Sequence, residues 1–466
     1  MKNKAPFATP AFYKGALAIA VPVMLQALLQ NLVSLIDNFM VAGLGDTKMS
    51  GVNITNQIMF VYFVALNTVA AGGGIFMSQF NGAKDAEGMR QTFRYKIHTS
   101  LILTAVILAL CVFLPEKLLG FLVNTNTQSG PIVEEGKKYL AIIVFTLIPT
   151  SITVVIGSSL REIGRVKAPL VISVLATLVN TFFNWMLIYG NLGAPRLEVR
   201  GAALATVIAR VFEMVVFIAF IRIKKPAFYS RFRDLWKIKL SLFFGILRKS
   251  GVIFISEMSW AVTETIMTAV YNGRGGAEIV SGMAAGWAIA NLFFLVFGGI
   301  HTSVGVIVGG TLGRNDLDRA QDEARWLMNG SFLLGISVAV LEAFSVFLIP
   351  VVFGNLSMDA QLVTRRMLWI IALYMPVWTY LNAQFATARS GGDAIMGAWV
   401  DIGVNTTLFL PGIFALAIFT KLGPIEMYAI VKLTDLVKIA IAHWQLKSGR
   451  WIRNLTHAHE HPEIAL

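Results

Sequence analysis

Asp37 is a carboxylate set inside the apolar stretch VSLIDNFMVAGLG, Val33–Gly45, which with its flanks is long enough to cross a bilayer. An ionisable group at that depth is costly to keep, and the chemistry it serves is the holding of an ion or a proton. Gln26, Gln30 and Ser34 share its helical face, whereas the rest of residues 17–42 is almost wholly apolar. A stripe of that kind cannot face lipid, so it lines a cavity or packs on another helix. The competing reading is an acid paired with a structural Lys or Arg. Further polar faces recur downstream. Glu257, Ala261, Glu264, Thr268 and Tyr271 fall on one face of a helix, with Trp260 at its border. Asp401 and Asn405 stand one turn apart, as do Asn180 and Asn184, which continue a face begun by Ser173 and Thr177. Asn53, Asn56, Asn67 and Ser78 make another. For the acids, cavity lining is the stronger reading; for the Ser, Thr and Asn groups, helix packing is an equal one.

Other reactive groups carry less. Arg210 and Glu213, three apart, are expected to neutralise each other, and Lys432, Asp435 and Lys438 to form a snorkelling, self-paired set near the inner surface. His301 reads as a hydrogen-bonded packing histidine, and Glu342 has no polar companion on its face. The tail HAHEHPEIAL has no fixed metal-ligand spacing and reads as disordered, so no metal site is expected. The single cysteine, Cys111, excludes an intrachain disulfide. Neither His-Glu-x-x-His nor an intramembrane Ser-x-x-Lys is present, and no Gly-rich Lys-Ser/Thr nucleotide loop occurs. An enzyme and a nucleotide-driven pump are thereby disfavoured, and no cofactor is expected beyond a coupling ion, H+ or Na+.

The elements that must position these groups follow from composition. Of 466 residues, 56% are hydrophobic and only 14% charged, with a mean hydropathy of +0.69. Apolar runs long enough for a hydrocarbon core of roughly 30 Å recur along the chain, so the class is an all-α polytopic membrane protein. Twelve spans are predicted between residues 15 and 446, the fourth over 140–160 and the seventh over 252–272. The net charge of +13 sits in short loops, where anionic lipid headgroups account for it better than nucleic acid does. Its concentration in alternate loops places both termini in the cytoplasm. Ser50, Gly51, Gly74, Gly82 and Asp85 recur as Ser281, Gly282, Gly305, Gly313 and Asp316, all at an offset of 231; Arg161 and Gly164 recur as Arg389 and Gly392 at 228. A duplicated six-helix unit is implied, its symmetry axis along the membrane normal. The domains are therefore an N-terminal lobe over 1–221, a basic amphipathic cytoplasmic linker over 222–251, a C-terminal lobe over 252–446 and a cytoplasmic tail over 447–466. Within the linker, FRDLWKIKLSLFFGIL is expected to form a helix along the inner leaflet.

VSLIDNFMVAGLGD, the loop NGAKDAEGMR with its echo GRNDLDRA, the loop LREIGRVKAP with its echo ARSGGD, and SEMSWAV together resemble the multidrug and toxic compound extrusion family. The resemblance implies two pseudo-symmetric six-helix lobes around a central cleft. It implies an antiporter of the bacterial inner membrane that exports cationic drugs or metabolites in exchange for protons or sodium by alternating access. It makes Asp37 the ion-coupling carboxylate of the N-lobe and draws Asn180 and Asn184 into its network. The family's second acid is absent, because Asn184 stands there. Tyr139 matches a family tyrosine, and Glu257 resembles the acid of an Asn-Glu-x-x-Trp pattern in which Ser256 replaces the Asn. Glu257 and Asp401 are the C-lobe's candidate ion ligands, and Gln26, Gln30, Ser34, Asn53, Trp260 and Glu264 the candidate cleft lining. Membrane lipid and small cationic molecules are the expected partners, and a monomer the expected state. The alternative is a flippase for a lipid-linked saccharide from the same broader superfamily; its cavity would carry cations to grip pyrophosphate.

Overall fold

The computed structural model describes residues 5–42, 45–123 and 129–456; Gly43 and Leu44 of the opening stretch and the tail 457–466 lie outside the described residues. Among the described residues there is no strand, and the backbone runs through twelve long helical segments. They are α1 (Pro10–Ala42), α2 (Asp46–Gly82), α3 (Ala86–Phe113), α4 (Ser129–Glu162), α5 (Lys167–Tyr189), α6 (Glu198–Lys224), α7 (Leu240–Asn272), α8 (Ala277–Gly313), α9 (Leu317–Val352), α10 (Met358–Ser390), α11 (Ala394–Phe419) and α12, made of Pro424–Val431 and Thr434–Lys447. Only a helix satisfies every backbone polar group within one spanning segment, which is why apolar runs of this length fold so. Nine of the twelve are long and apolar enough by composition alone to cross a membrane. The other three, α7, α10 and α12, hold Glu257 and Glu264, Arg389, and Lys432 with Lys438. Several helices begin earlier than hydropathy places them, among them α4 at Ser129 and α7 at Leu240, because hydropathy reads the hydrocarbon length and not the polar turns beyond it.

The sequence repeat reappears as repeated local geometry. Asp85 caps α3 by accepting from the Gly88 amide at 2.9 Å, and Asp316 caps α9 by accepting from the Arg319 amide at 3.2 Å. Gly164 and Gly392, at φ +79° and +82°, close α4 and α10 with the same left-handed turn. The Arg165 amide donates to Leu160 O at 2.8 Å and the Asp393 amide to Ala388 O at 3.0 Å, one bond repeated at the 228 offset.

Two compact units result: residues 1–24, 78–84 and 251–466 in one, and 25–77 with 85–250 in the other. The division cuts α1 just after Pro22, whose missing amide removes a helical hydrogen bond. In the C-terminal unit, Ser303 of α8 donates to Ala16 O of α1 at 3.1 Å. The linker departs from expectation, since no helix lies along FRDLWKIK. Phe232–Asp234 is a single 3-10 turn, and the α-helix starts only at Leu240. The N-terminal unit takes up the backbone that such a helix would have used. Gln91 of α3 donates to Lys237 O at 3.0 Å and accepts from the Lys239 amide at 2.9 Å, while Arg94 donates to Lys237 O at 2.8 Å. Phe232 and Trp236 are left exposed beside the cations, the pattern of an interfacial anchor. Within the turn, the hydrogen bond from Lys237 holds the Asp234 carboxyl below its ordinary range.

Candidate ion-coupling site

In the N-terminal unit, Asp37 of α1 and the amides of α5 meet. Asn184 Nδ2 donates to Asp37 Oδ1 at 2.6 Å and to Asn180 Oδ1 at 3.1 Å, and Asn180 Nδ2 reaches Thr206 Oγ1 of α6 at 3.4 Å. Asn180 and Asn184 are buried and Asp37 half-buried. Tyr139, buried in α4, and Arg210 lie within electrostatic range of Asp37. Among the described residues no Lys or Arg stands at ion-pair distance from Asp37. The Asn184 Oδ1 is buried beside it without a hydrogen-bond partner among the described residues. An acid held by a neutral amide, with an unused acceptor alongside, can take a proton or a cation without first expelling a resident one.

A second chain runs through the same unit. Gln26 Nε2 donates to Ser173 Oγ at 2.9 Å, Ser173 to Glu213 Oε1 at 3.1 Å, and Arg210 to Glu213 Oε2 at 2.7 Å. Arg210 and Glu213 thus neutralise each other, as their spacing implies. Gln26, expected as cleft lining, is buried and its bond to Ser173 ties α1 to α5. Gln30, Ser34 and Asn53 are exposed on the chain, and Trp260 is half exposed.

The C-terminal unit treats its acids differently, giving each a cation. Glu257 Oε1 is 3.1 Å from Arg389, Glu264 Oε1 is 2.9 Å from Lys432, and Asp401 Oδ1 is 2.7 Å from Lys438, which also meets Asp435 at 3.2 Å. Of the expected snorkelling, self-paired set on α12, the Lys438–Asp435 pair is present and the snorkelling is overturned. Lys432, Asp435 and Lys438 are buried, and their partners lie also on α7 and α11. Those pairings were hidden in the sequence because the partners stand 168 and 37 residues apart. Three aromatic rings close around Lys432: its Nζ is 5.1 Å from the centre of Phe409, 5.6 Å from Tyr428 and 5.7 Å from Trp378. Two irregularities aim these groups. A π-turn over Asn405–Phe409 interrupts α11, and α12 breaks between Val431 and Thr434. His301 bonds Asn382 at 3.0 Å, as expected of a packing histidine. Glu342 is fully buried on α9, and neither carboxyl oxygen has a hydrogen-bond partner among the described residues.

Twelve long helices in two related halves, nine of them apolar enough to span a bilayer and with charges buried inside each half, define a multi-pass membrane transport protein. The MatE family model matches residues 22–186 and 252–409, and the chain belongs to that family. The chain is 25% identical over 419 residues to "Probable multidrug resistance protein NorM" of Thermotoga maritima, covering 89% of this chain and 88% of the relative. To the Halalkalibacterium halodurans protein of the same description it is 23% identical over 442 residues, covering 92% and 93%. Among solved structures, one described as "Crystal structure of MATE in complex with MaL6" superposes with a TM-score of 0.82 at 18% identity, covering 94% of this chain and 97% of that one. The protein is therefore a transporter and not an enzyme, built from twelve helices in two lobes, with membrane lipid around it and small molecules as cargo.

Proposed function

We propose that this chain is a secondary antiporter of the bacterial inner membrane, with both termini cytoplasmic, that exports cationic drugs or metabolites in exchange for protons taken up at Asp37. The observation that carries the reading is the contrast between the two units. Asp37 is bonded to the neutral amide of Asn184, whereas Glu257, Glu264 and Asp401 already hold Arg389, Lys432 and Lys438. A sodium ion at the C-lobe acids would have to displace a resident cation, so that contribution loses support. Protonation of Asp37 removes the charge that the Asn184 amide donates to, and the new carboxyl hydrogen can turn to the unused Asn184 oxygen. Exchange of one hydrogen-bond pattern for the other biases one of two lobe arrangements, which couples the ion to alternating access. The relatives' description as multidrug resistance proteins supports a drug-like cargo. A saccharide flippase would need free cations for pyrophosphate, and Arg389, Lys432 and Lys438 are each matched by an acid. The test uses sealed vesicles loaded with a fluorescent cation, given a pH step at constant sodium and then a sodium step at constant pH. The pH step is expected to drive cargo and Asp37→Asn to abolish the response; movement on the sodium step alone would overturn the reading.

A further inference from the structure

Lys432 occupies a site whose construction suits an ammonium group of any origin. Three ring faces at 5.1–5.7 Å and one carboxylate oxygen at 2.9 Å surround its Nζ. Aromatic boxes of this kind recognise ligand ammonium ions through the ring quadrupole, most strongly where water is excluded. Phe409, Tyr428 and Trp378 are all buried. The walls are stiffly held. Trp378 donates its indole hydrogen to Asp435 at 2.8 Å and stacks on Tyr374 at 5.7 Å, while Tyr428 packs edge-on against Trp287 at 6.1 Å and Tyr271 at 6.2 Å. Phe409 is delivered by the π-turn of α11, and Lys432 sits in the break of α12. The cage is not sealed, because the Glu264 side chain keeps 21% of its surface, on the face of α7 that carries the exposed Trp260 and Thr268.

We propose that Trp378, Phe409, Tyr428 and Glu264 form a recognition site for organic ammonium ions, and that Lys432 is a tethered occupant which an incoming cation replaces. The proposal rests on the cationic-cargo reading above and adds where the cation's charged head is held. A resident lysine keeps Glu264 from standing unpaired when the site holds no cargo, which a half-buried anion could not do cheaply. It also sets a threshold: only a cation that fills the box better than a lysine head enters.

Tetramethylammonium chloride is the probe, titrated into the purified full-length protein in detergent. Tryptophan fluorescence and melting temperature are followed, with sodium chloride as the ionic-strength control. Lys432→Met keeps the side chain's bulk and empties the cage of charge, so tetramethylammonium is expected to bind about tenfold or more tightly than to the unsubstituted protein. The probe should also raise the variant's melting temperature. The double variant Lys432→Met/Glu264→Gln removes both charges together and is expected to lose the gain. Should Lys432→Met accumulate only when tetramethylammonium is present, the proposal is supported. If it fails to fold even then while the double variant folds, or if its affinity equals that of the unsubstituted protein, the proposal is overturned. No gradient is applied and no transport is read, so failure here leaves proton coupling at Asp37 standing, and failure of that coupling leaves the cage standing.

Discussion

Asp37 and Asn184 show what a single side chain contributes at membrane depth. A hydrogen bond to a charged group is worth ~1.5–3 kcal/mol, and in hydrocarbon no water replaces it. Asn184→Ala should therefore lower pH-driven efflux about tenfold or more, measured as initial rate in vesicles at matched protein content, while Asn180→Ala, one bond further from the acid, costs less. Equal effects from the two would mean that the amides act only as packing. These residues were legible in the sequence because one acid in an apolar span and two amides a turn apart are both exceptions to composition. The bond of Gln26 to Ser173 was not legible, since its partners are 147 residues apart and helical spacing reports only which face a residue is on. Glu342 is the opposite case: visible as an anomaly and, in the structure, buried with both oxygens unbonded among the described residues. A buried carboxyl without partners costs stability that an apolar side chain of similar size does not. Glu342→Leu is expected to raise the melting temperature by a few degrees; a fall would show that the carboxyl has a binding role.

Helix ends carry the duplication, and glycine marks where two of them nearly touch. A Cβ on Gly82 would lie 1.9 Å from Gly310 O, and one on Gly313 would lie 1.9 Å from Gln79 O. Gln79 and Gly310 are themselves 231 residues apart, so this is one contact made twice, as a two-fold related pair of elements requires. The constant offset predicted related positions but not which of them are crowded. Gly305, the repeat of Gly74, has nothing within 4 Å of its would-be Cβ, whereas Gly74 would meet the Glu162 carboxylate at 2.6 Å. Gly82→Ala and Gly313→Ala should each sharply reduce the folded yield, and Gly305→Ala should leave it unchanged, as read by size-exclusion profile and melting temperature. Charged pairs between helices follow a related logic. Glu257→Gln leaves Arg389 without its carboxylate partner, and the double change Glu257→Gln/Arg389→Gln should recover part of the stability lost in the single one. Additive losses would show that the pair does not interact.

The chain's broad architecture, twelve spans in two lobes, was open to reading because lipid demands long apolar helices and duplication leaves a register. What composition could not disclose is how segments outside the spans are fastened. The linker is held by side chains of α3, and residues 448–456 turn back onto the C-terminal unit. Gln79, at the end of α2, donates to Ser390 O at 2.7 Å and to Arg453 O at 3.1 Å, and accepts from the Leu455 amide at 2.6 Å. Trp451 and Leu455 are buried, Trp451 donating to Leu446 O at 3.1 Å. A Cβ on Gly391 would lie 1.5 Å from Trp451 O, so the end of α10 is shaped to receive this segment. Asn454 reaches Asn315, beyond the end of α8, at 3.3 Å. One short stretch thus meets the end of α2 through its own backbone, Asn315 through a side chain and the end of α10 by close approach at Gly391, contacts that a side-chain pattern does not reveal. A chain ending at Thr456 keeps all of these contacts, whereas a chain ending at Lys447 leaves the Gln79 amide and the Gly391 surface facing solvent. The longer truncation should melt several degrees lower and be cleaved faster by protease near residues 78–84 and 390–392, and the shorter one should match the full chain. Gln79→Ala in the full chain should reproduce most of that loss, since it removes the side chain that makes all three bonds. Should the Lys447 truncation melt with the full chain, the returning segment rests on the unit without holding it together.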